Sequence, residues 1–159
     1  MDDGRACVRN VPVWQPWAAI ALFAFLLNFV WEMLQVPFYG GLDEAAHWDA
    51  TLVCLRASGG DALIGLAAYA VVAWPSGRLW LAHSTLPRLG AFVGAGLLIT
   101  IVIEWVSVHV LHRWAYAEGV PVVAGIGLPP LLQWLLLPPA FLWLTWRHLG
   151  RPGGNIKAS

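Results

Sequence analysis

Long apolar runs, each broken by a few polar residues, set the pattern of this sequence. The first runs from about Trp17 to Phe38, with Asn28, Glu32 and Gln35 as its only strongly polar positions. It is long enough to cross a hydrocarbon core of roughly 30 Å as a helix. A cleaved signal peptide does not fit, because the run is too long, carries Asn28 and Glu32, and lacks a small-x-small site. A third span is predicted at about 89–111, with Gly90 and Gly94 spaced for close helix contact near its start. A fourth is predicted at about 128–146, with a kink at Pro138-Pro139.

The second span leaves two readings. Residues 43–57 read as a surface helix that Gly59-Gly60 breaks, and 61–74 alone is too short to cross. Within the limits 52–81, the span either starts near Leu52 and embeds Asp61, or runs past Pro75 with Asp61 as its N-cap. The stretch 120–130 is apolar but rich in glycine and proline, and reads as a re-entrant loop held against protein. The class predicted is therefore all-α: one polytopic membrane domain over 1–159, a bundle of four or five transmembrane helices.

Composition agrees with the pattern. The chain is 59% hydrophobic and 11% charged, against roughly 25% charged in soluble domains. Net charge is zero with no basic block, which argues against a nucleic-acid partner. With four spans, Arg5, Arg9, Arg78, Arg88, Arg147, Arg151 and Lys157 fall on one side, and only Arg56 and Arg113 on the other. That bias predicts both termini in the cytoplasm of a multi-pass protein of the cell's inner (plasma) membrane. Cys7 and Cys54 then lie on opposite sides, so no disulfide is expected. Of eleven tryptophans, Trp14, Trp17, Trp74, Trp80, Trp143 and Trp146 sit near span ends, where the amphipathic ring suits the headgroup zone.

The chemistry lies in the polar positions. Glu32, Glu104 and Gln133 fall about 6–7 Å outward of the midplane of their spans, and an embedded Asp61 would join them. Asn28, Glu32 and Gln35 share one helix face, as do Glu104 and Ser107, with His109 and His112 following. Such faces are costly against lipid and should face each other. Trp31, Trp105 and Trp134 are sequence neighbours of Glu32, Glu104 and Gln133, so an aromatic is expected beside each polar group. A carboxyl pair in a dry aromatic setting can hold and deliver one proton, and tryptophan faces can stabilise a developing cation. That suits protonation of an alkene in a lipid-soluble substrate, ending in cyclisation, hydration or isomerisation. Glu32, Glu104 and Asp61 are the candidate catalytic groups. Asn28, Trp31, Gln35, Trp105, Ser107, His109, His112, Trp114, Tyr116, Gln133 and Trp134 are the candidate substrate-binding set. His47, His109, His112 and Glu104 offer an alternative metal set, but the reading adopted has neither metal nor cofactor.

Asn28-x-x-Trp31-Glu32 near the end of an apolar helix resembles a motif of the small integral-membrane terpene cyclases of meroterpenoid pathways. The resemblance covers about five residues and implies a proton-donor role for Glu32 alone. Those proteins are larger, with about seven helices. The chain also looks like bacterial multi-span membrane proteins with similar Trp-Glu, Gly-Asp and Gly-Leu-x-Pro-Leu-x-Gln patterns, here Trp31-Glu32, Gly60-Asp61 and Gly127 to Gln133. Two readings outside catalysis stand beside the enzyme: a non-catalytic subunit or assembly factor of a membrane complex, and a proton-coupled transporter or channel that would have to form a homo-oligomer.

Overall fold

The computed structural model describes Pro12 and residues 14–149. Arg5, Cys7, Arg9, Arg151 and Lys157, which enter the sidedness and disulfide arguments, lie outside the described residues. Four helices carry the chain: α1 (Gln15–Gln35), α2 (His47–Ser76), α3 (Leu86–His109) and α4 (Leu128–Leu149). All four are long and apolar enough to span a membrane. Pro16, Pro87 and Pro129-Pro130 stand in the first turns of α1, α3 and α4, where a missing N–H costs nothing and the fixed φ suits a helix start.

In the second span Asp61 is embedded, as in the first of the two readings above, but the predicted glycine break is absent. Surface helix and span are one element: α2 starts at His47, runs through Gly59-Gly60 without a break, and ends at Ser76. Residues 43–46 are not helical, and Trp80–His83 forms a separate 3-10 turn. A glycine costs about 1 kcal/mol in a water-exposed helix. In lipid, breaking the helix would instead leave backbone N–H and C=O groups unpaired, at several kcal/mol each. The helix therefore continues, and Asp61 is embedded at its middle rather than capping its end.

α1 packs on α2 and α4, and α3 packs on the same two helices, so α1 and α3 occupy opposite corners of a four-helix bundle. We call the end where α1 begins and α4 finishes the basal end, and the other the distal end. The basal half is held by a run of rings crossing the bundle. Trp17 meets Tyr69 edge-on (5.0 Å between centroids), Tyr69 lies on Trp80 (5.4 Å), Trp80 on Phe92 (6.1 Å), and Phe92 meets Phe141 edge-on (5.9 Å). Tyr69 donates its hydroxyl to the Arg78 carbonyl. Trp80 is thus buried in this core and is not a headgroup anchor. Trp14, Trp74, Trp143 and Trp146 are exposed near the helix ends.

Small residues permit the closest contacts, but not where the spacing of glycines suggests. Gly90 and Gly94 border open space. The close approach is at Gly96, where any Cβ would overlap the six-membered ring of buried Trp134. Gly96→Ala is expected to destabilise the bundle by about 1–3 kcal/mol, the usual cost of overpacking a dense core. Unfolding in detergent, followed by tryptophan fluorescence, would measure it.

At the distal end the chain forms a small cap. After α1, a 3-10 turn at Val36–Phe38 leads into a loop whose Tyr39 pairs with Tyr116 as an isolated antiparallel bridge. The Gly40 N–H donates to the Ala115 carbonyl and the Ala117 N–H to that of Phe38, both at 2.9 Å. The stretch 120–130 is not a re-entrant loop. It holds a two-stranded antiparallel hairpin, β1 (Val122–Val123) and β2 (Ile126–Gly127), and then enters α4 directly. Val122 and Val123 are exposed and Ile126 and Gly127 buried, so the hairpin lies over the bundle with one strand beneath the other.

Candidate functional site

Four helices each contribute one polar group at a common height. Counted from the basal helix ends, Glu32, Asp61, Glu104 and Gln133 stand about 22–27 Å up at 1.5 Å per residue. The hydrogen bonds show that three of them meet. Gln133 Nε2 donates to Asn28 Oδ1 and to Asp61 Oδ2, each at 2.7 Å, and lies 3.4 Å from Glu32 Oε1. An amide nitrogen carries two hydrogens, so the two short bonds use both. Glu32 Oε1 is served by Gln35 Nε2 at 2.7 Å, and Gln35 Oε1 accepts from Trp31 Nε1 at 3.0 Å. Asn28 donates back to the Ala24 carbonyl at 2.8 Å, which locks its side chain along α1. Glu32 and Asp61 both approach the same Gln133 amide nitrogen, Asp61 Oδ2 at 2.7 Å and Glu32 Oε1 at 3.4 Å. Asn28, Gln35 and Gln133 are buried, whereas Glu32 and Asp61 are half-buried and keep a path to the bundle surface.

Glu104 makes a second centre beside the first. Its Oε2 accepts from the Tyr116 hydroxyl at 2.6 Å and from Trp114 Nε1 at 3.4 Å. These donors belong to the distal cap, so the carboxyl ties the cap to the bundle. Tyr39 completes the roof. Its ring lies 5.6 Å from that of Tyr116 and meets Trp114 edge-on at 6.5 Å. Two glycines let the roof sit low. A Cβ on Gly127 would come within 2.5 Å of the Tyr116 ring, and Gly125, at φ +81°, lets its carbonyl accept from His109 Nε2 at 3.1 Å.

Burial, and then the charges of Glu104 and Glu32, hold the Tyr39 phenol far above its ordinary range. Burial, and then the bond it donates to Glu104, does the same for Tyr116. Both therefore stay protonated throughout the physiological range. A spectrophotometric titration is expected to show neither phenol ionising near pH 10, where a free tyrosine does. The sign follows from linkage. With folded values raised, their contribution to stability is complete below the unfolded value and is lost only as pH climbs through the folded one.

The anticipated set is thus split. Glu32, Asp61, Asn28, Gln35, Gln133 and Trp31 form one network, and Glu104, Trp114 and Tyr116 a second. Ser107 is buried on α3, where its carbonyl accepts the Arg113 N–H. Four residues fall elsewhere, one of them His109, which is exposed and bonded to the Gly125 carbonyl. Trp105 is about half exposed on the outer face of α3, against the His109 ring at 5.5 Å. His112 is exposed at φ +48° in the turn after α3. Trp134 turns its ring to Gly96, so it packs the core and does not flank Gln133's hydrogen bonds. Helix rotation, which neighbouring residues in sequence do not reveal, decides these cases. Tyr39 is the group that sequence reasoning missed. The available signal was an aromatic just beyond the first span, on the same side as Trp114 and Tyr116.

No protein-family model, curated protein or solved structure matches this chain.

Proposed function

We propose that this protein is a membrane enzyme that protonates an alkene of a lipid-soluble, isoprenoid-like substrate, with the Glu32–Asp61 pair as the acid. The observation that carries this reading is the composition of the layer. Three carboxyls stand at one height, two of them at the same Gln133 nitrogen, and among the described residues every hydrogen-bond donor to them is neutral: Gln35, Gln133, Trp114 and Tyr116. Two like charges at one amide nitrogen, with no cation beside them among the described residues, are expensive, so a pair of this kind holds one proton between its members. A structural polar contact between spans needs no such surplus of acceptors.

The step balances simply. The shared proton adds to one alkene carbon, whose π pair forms the new C–H bond and leaves a carbocation on the neighbour. The faces of Trp31, Tyr39, Trp114 and Tyr116 lie at this end of the bundle and could stabilise that cation. Loss of a proton from an adjacent carbon to the pair, now doubly ionised, restores its shared proton and gives isomerisation or, after ring closure, cyclisation. Capture by water gives hydration. Glu104 holds Tyr116 and Trp114 over the site. The charge bias of the loops supports the plasma membrane, with the basal end cytoplasmic.

The test uses the full chain in nanodiscs, a panel of linear polyprenols and polyenes, and buffer in deuterium oxide. A product carrying one carbon-bound deuterium per turnover is expected. Products without deuterium, or no conversion across the panel by well-folded protein, would sink the reading. If the protein then copurifies with stoichiometric membrane partners, the layer is a packing device within a larger complex.

A further inference from the structure

The basal end carries a second feature that the acid chemistry does not use. Between the start of α3 and the second half of α4 lies a cleft of about 350 Å³, lined by Leu81, Leu89, Val93, Pro139, Leu142 and Trp146. Its wall is apolar apart from Ser84, and Trp143 stands at the same wall. Trp143 carries Arg147: the guanidinium carbon sits 4.8 Å from the ring centroid. That cation–π contact holds an exposed guanidinium beside the cleft, where its N–H donors can meet an anion.

Charge is segregated along the bundle. Every described carboxylate lies in the polar layer or distal to it: Glu32, Asp61 and Glu104 in the layer, Asp43, Glu44, Asp49 and Glu118 beyond it. The described basal end holds Arg78, Arg88 and Arg147, with His83 and His148. An anion reaching the cleft therefore meets cations and no opposing carboxylate among the described residues. An apolar groove between two helices with arginine at its rim fits a ligand having a hydrocarbon chain and a negatively charged phosphate.

We propose that this cleft binds one chain of an anionic phospholipid, whose phosphate is held by Arg147. The proposal does not rest on the acid chemistry. Trp143 and Arg147 stand about 15–21 Å below Gln133 along α4, so the two sites fail or succeed separately.

Native mass spectrometry of the full chain, loaded in turn with dioleoyl phosphatidylglycerol and dioleoyl phosphatidylcholine, tests it. Wild-type protein is expected to retain the anionic lipid about tenfold better, a difference of about 1.4 kcal/mol. Arg147→Gln should bring retention down to the phosphatidylcholine level, and because Arg147 is exposed the fold is not at stake. Val93→Trp should fill the cleft and weaken retention with all charges intact. Arg56→Gln, at an exposed position on the distal half of α2, should change nothing. Equal retention of the two lipids by wild-type protein, or a preference that survives Arg147→Gln, would overturn the proposal. So would displacement of the lipid by inorganic phosphate at matched concentration, because the cleft would then contribute no affinity.

Discussion

Asp61→Asn is expected to lower turnover by about 10² to 10⁴-fold, the usual worth of a positioned general acid, while leaving the bundle folded. The substitution separates proton chemistry from hydrogen bonding. An asparagine oxygen can still accept from Gln133, which now bonds Asp61 at 2.7 Å, and its NH₂ can donate to Glu32 nearby. The network stays connected, but the second carboxyl is gone. Glu32→Gln should act equally, since either change leaves one carboxyl where two shared a proton. Glu104→Gln is expected to cost less than tenfold, because its role is to accept from Tyr116 and Trp114, and an amide oxygen still accepts. Turnover, deuterium incorporation and a thermal unfolding curve for each variant check this. A folded Asp61→Asn protein with wild-type turnover would remove the pair from the mechanism, and a large effect from Glu104→Gln alone would move the acid there.

The spans and the height of the polar layer were legible because both are properties of single helices. A hydrocarbon core fixes span length, and at 1.5 Å per residue it places Glu32, Glu104 and Gln133 at one level before any contact is known. Which groups meet is a property of pairs of helices, and there the reading fell short. It left open whether Glu32 meets Glu104 and whether Asp61 is embedded at all; in the structure Glu32 and Asp61 approach one Gln133 nitrogen, and Glu104 bonds Tyr116 and Trp114. The difference traces to Gly59-Gly60, read as a break because glycine terminates helices in water. In lipid the unpaired backbone is the larger cost, so α2 runs on and brings Asp61 to the layer.

The distal cap shows the same limit from another side. Tyr39 and Tyr116 are 77 residues apart and pair through backbone bonds that leave no local pattern. The glycines beneath them, Gly125 and Gly127, lie in the stretch that reads as a re-entrant loop. They are instead where His109 and Tyr116 come down onto the hairpin. A glycine's role depends on what approaches it, and that arrives from elsewhere in the chain.

Gln133→Leu is expected to cost about 3–5 kcal/mol of stability, a large share of the 5–15 kcal/mol typical of a folded protein. Leucine keeps approximate volume and adds no strain, so the loss is that of the amide. Asn28 Oδ1 and Asp61 Oδ2 would each lose a 2.7 Å donor in a site that water does not readily replace. Each acceptor left unpaired costs about 1–3 kcal/mol, and more where it carries charge. Magnitude decides between two views of the layer. Polar contacts between membrane helices average only about 0.6 kcal/mol, so a loss below 1 kcal/mol would make Gln133 ordinary helix glue. A loss of several kcal/mol would make it the hub that joins Asn28 of α1 to Asp61 of α2. A double-mutant cycle with Asp61→Asn sharpens the test. If the hub's work is to hold that carboxyl, removing the carboxyl first should reduce the cost of Gln133→Leu by about 0.5–3 kcal/mol, the range for directly coupled residues. Additive losses would mean that Gln133 and Asp61 merely share a neighbourhood, and the acid pair would lose its structural support.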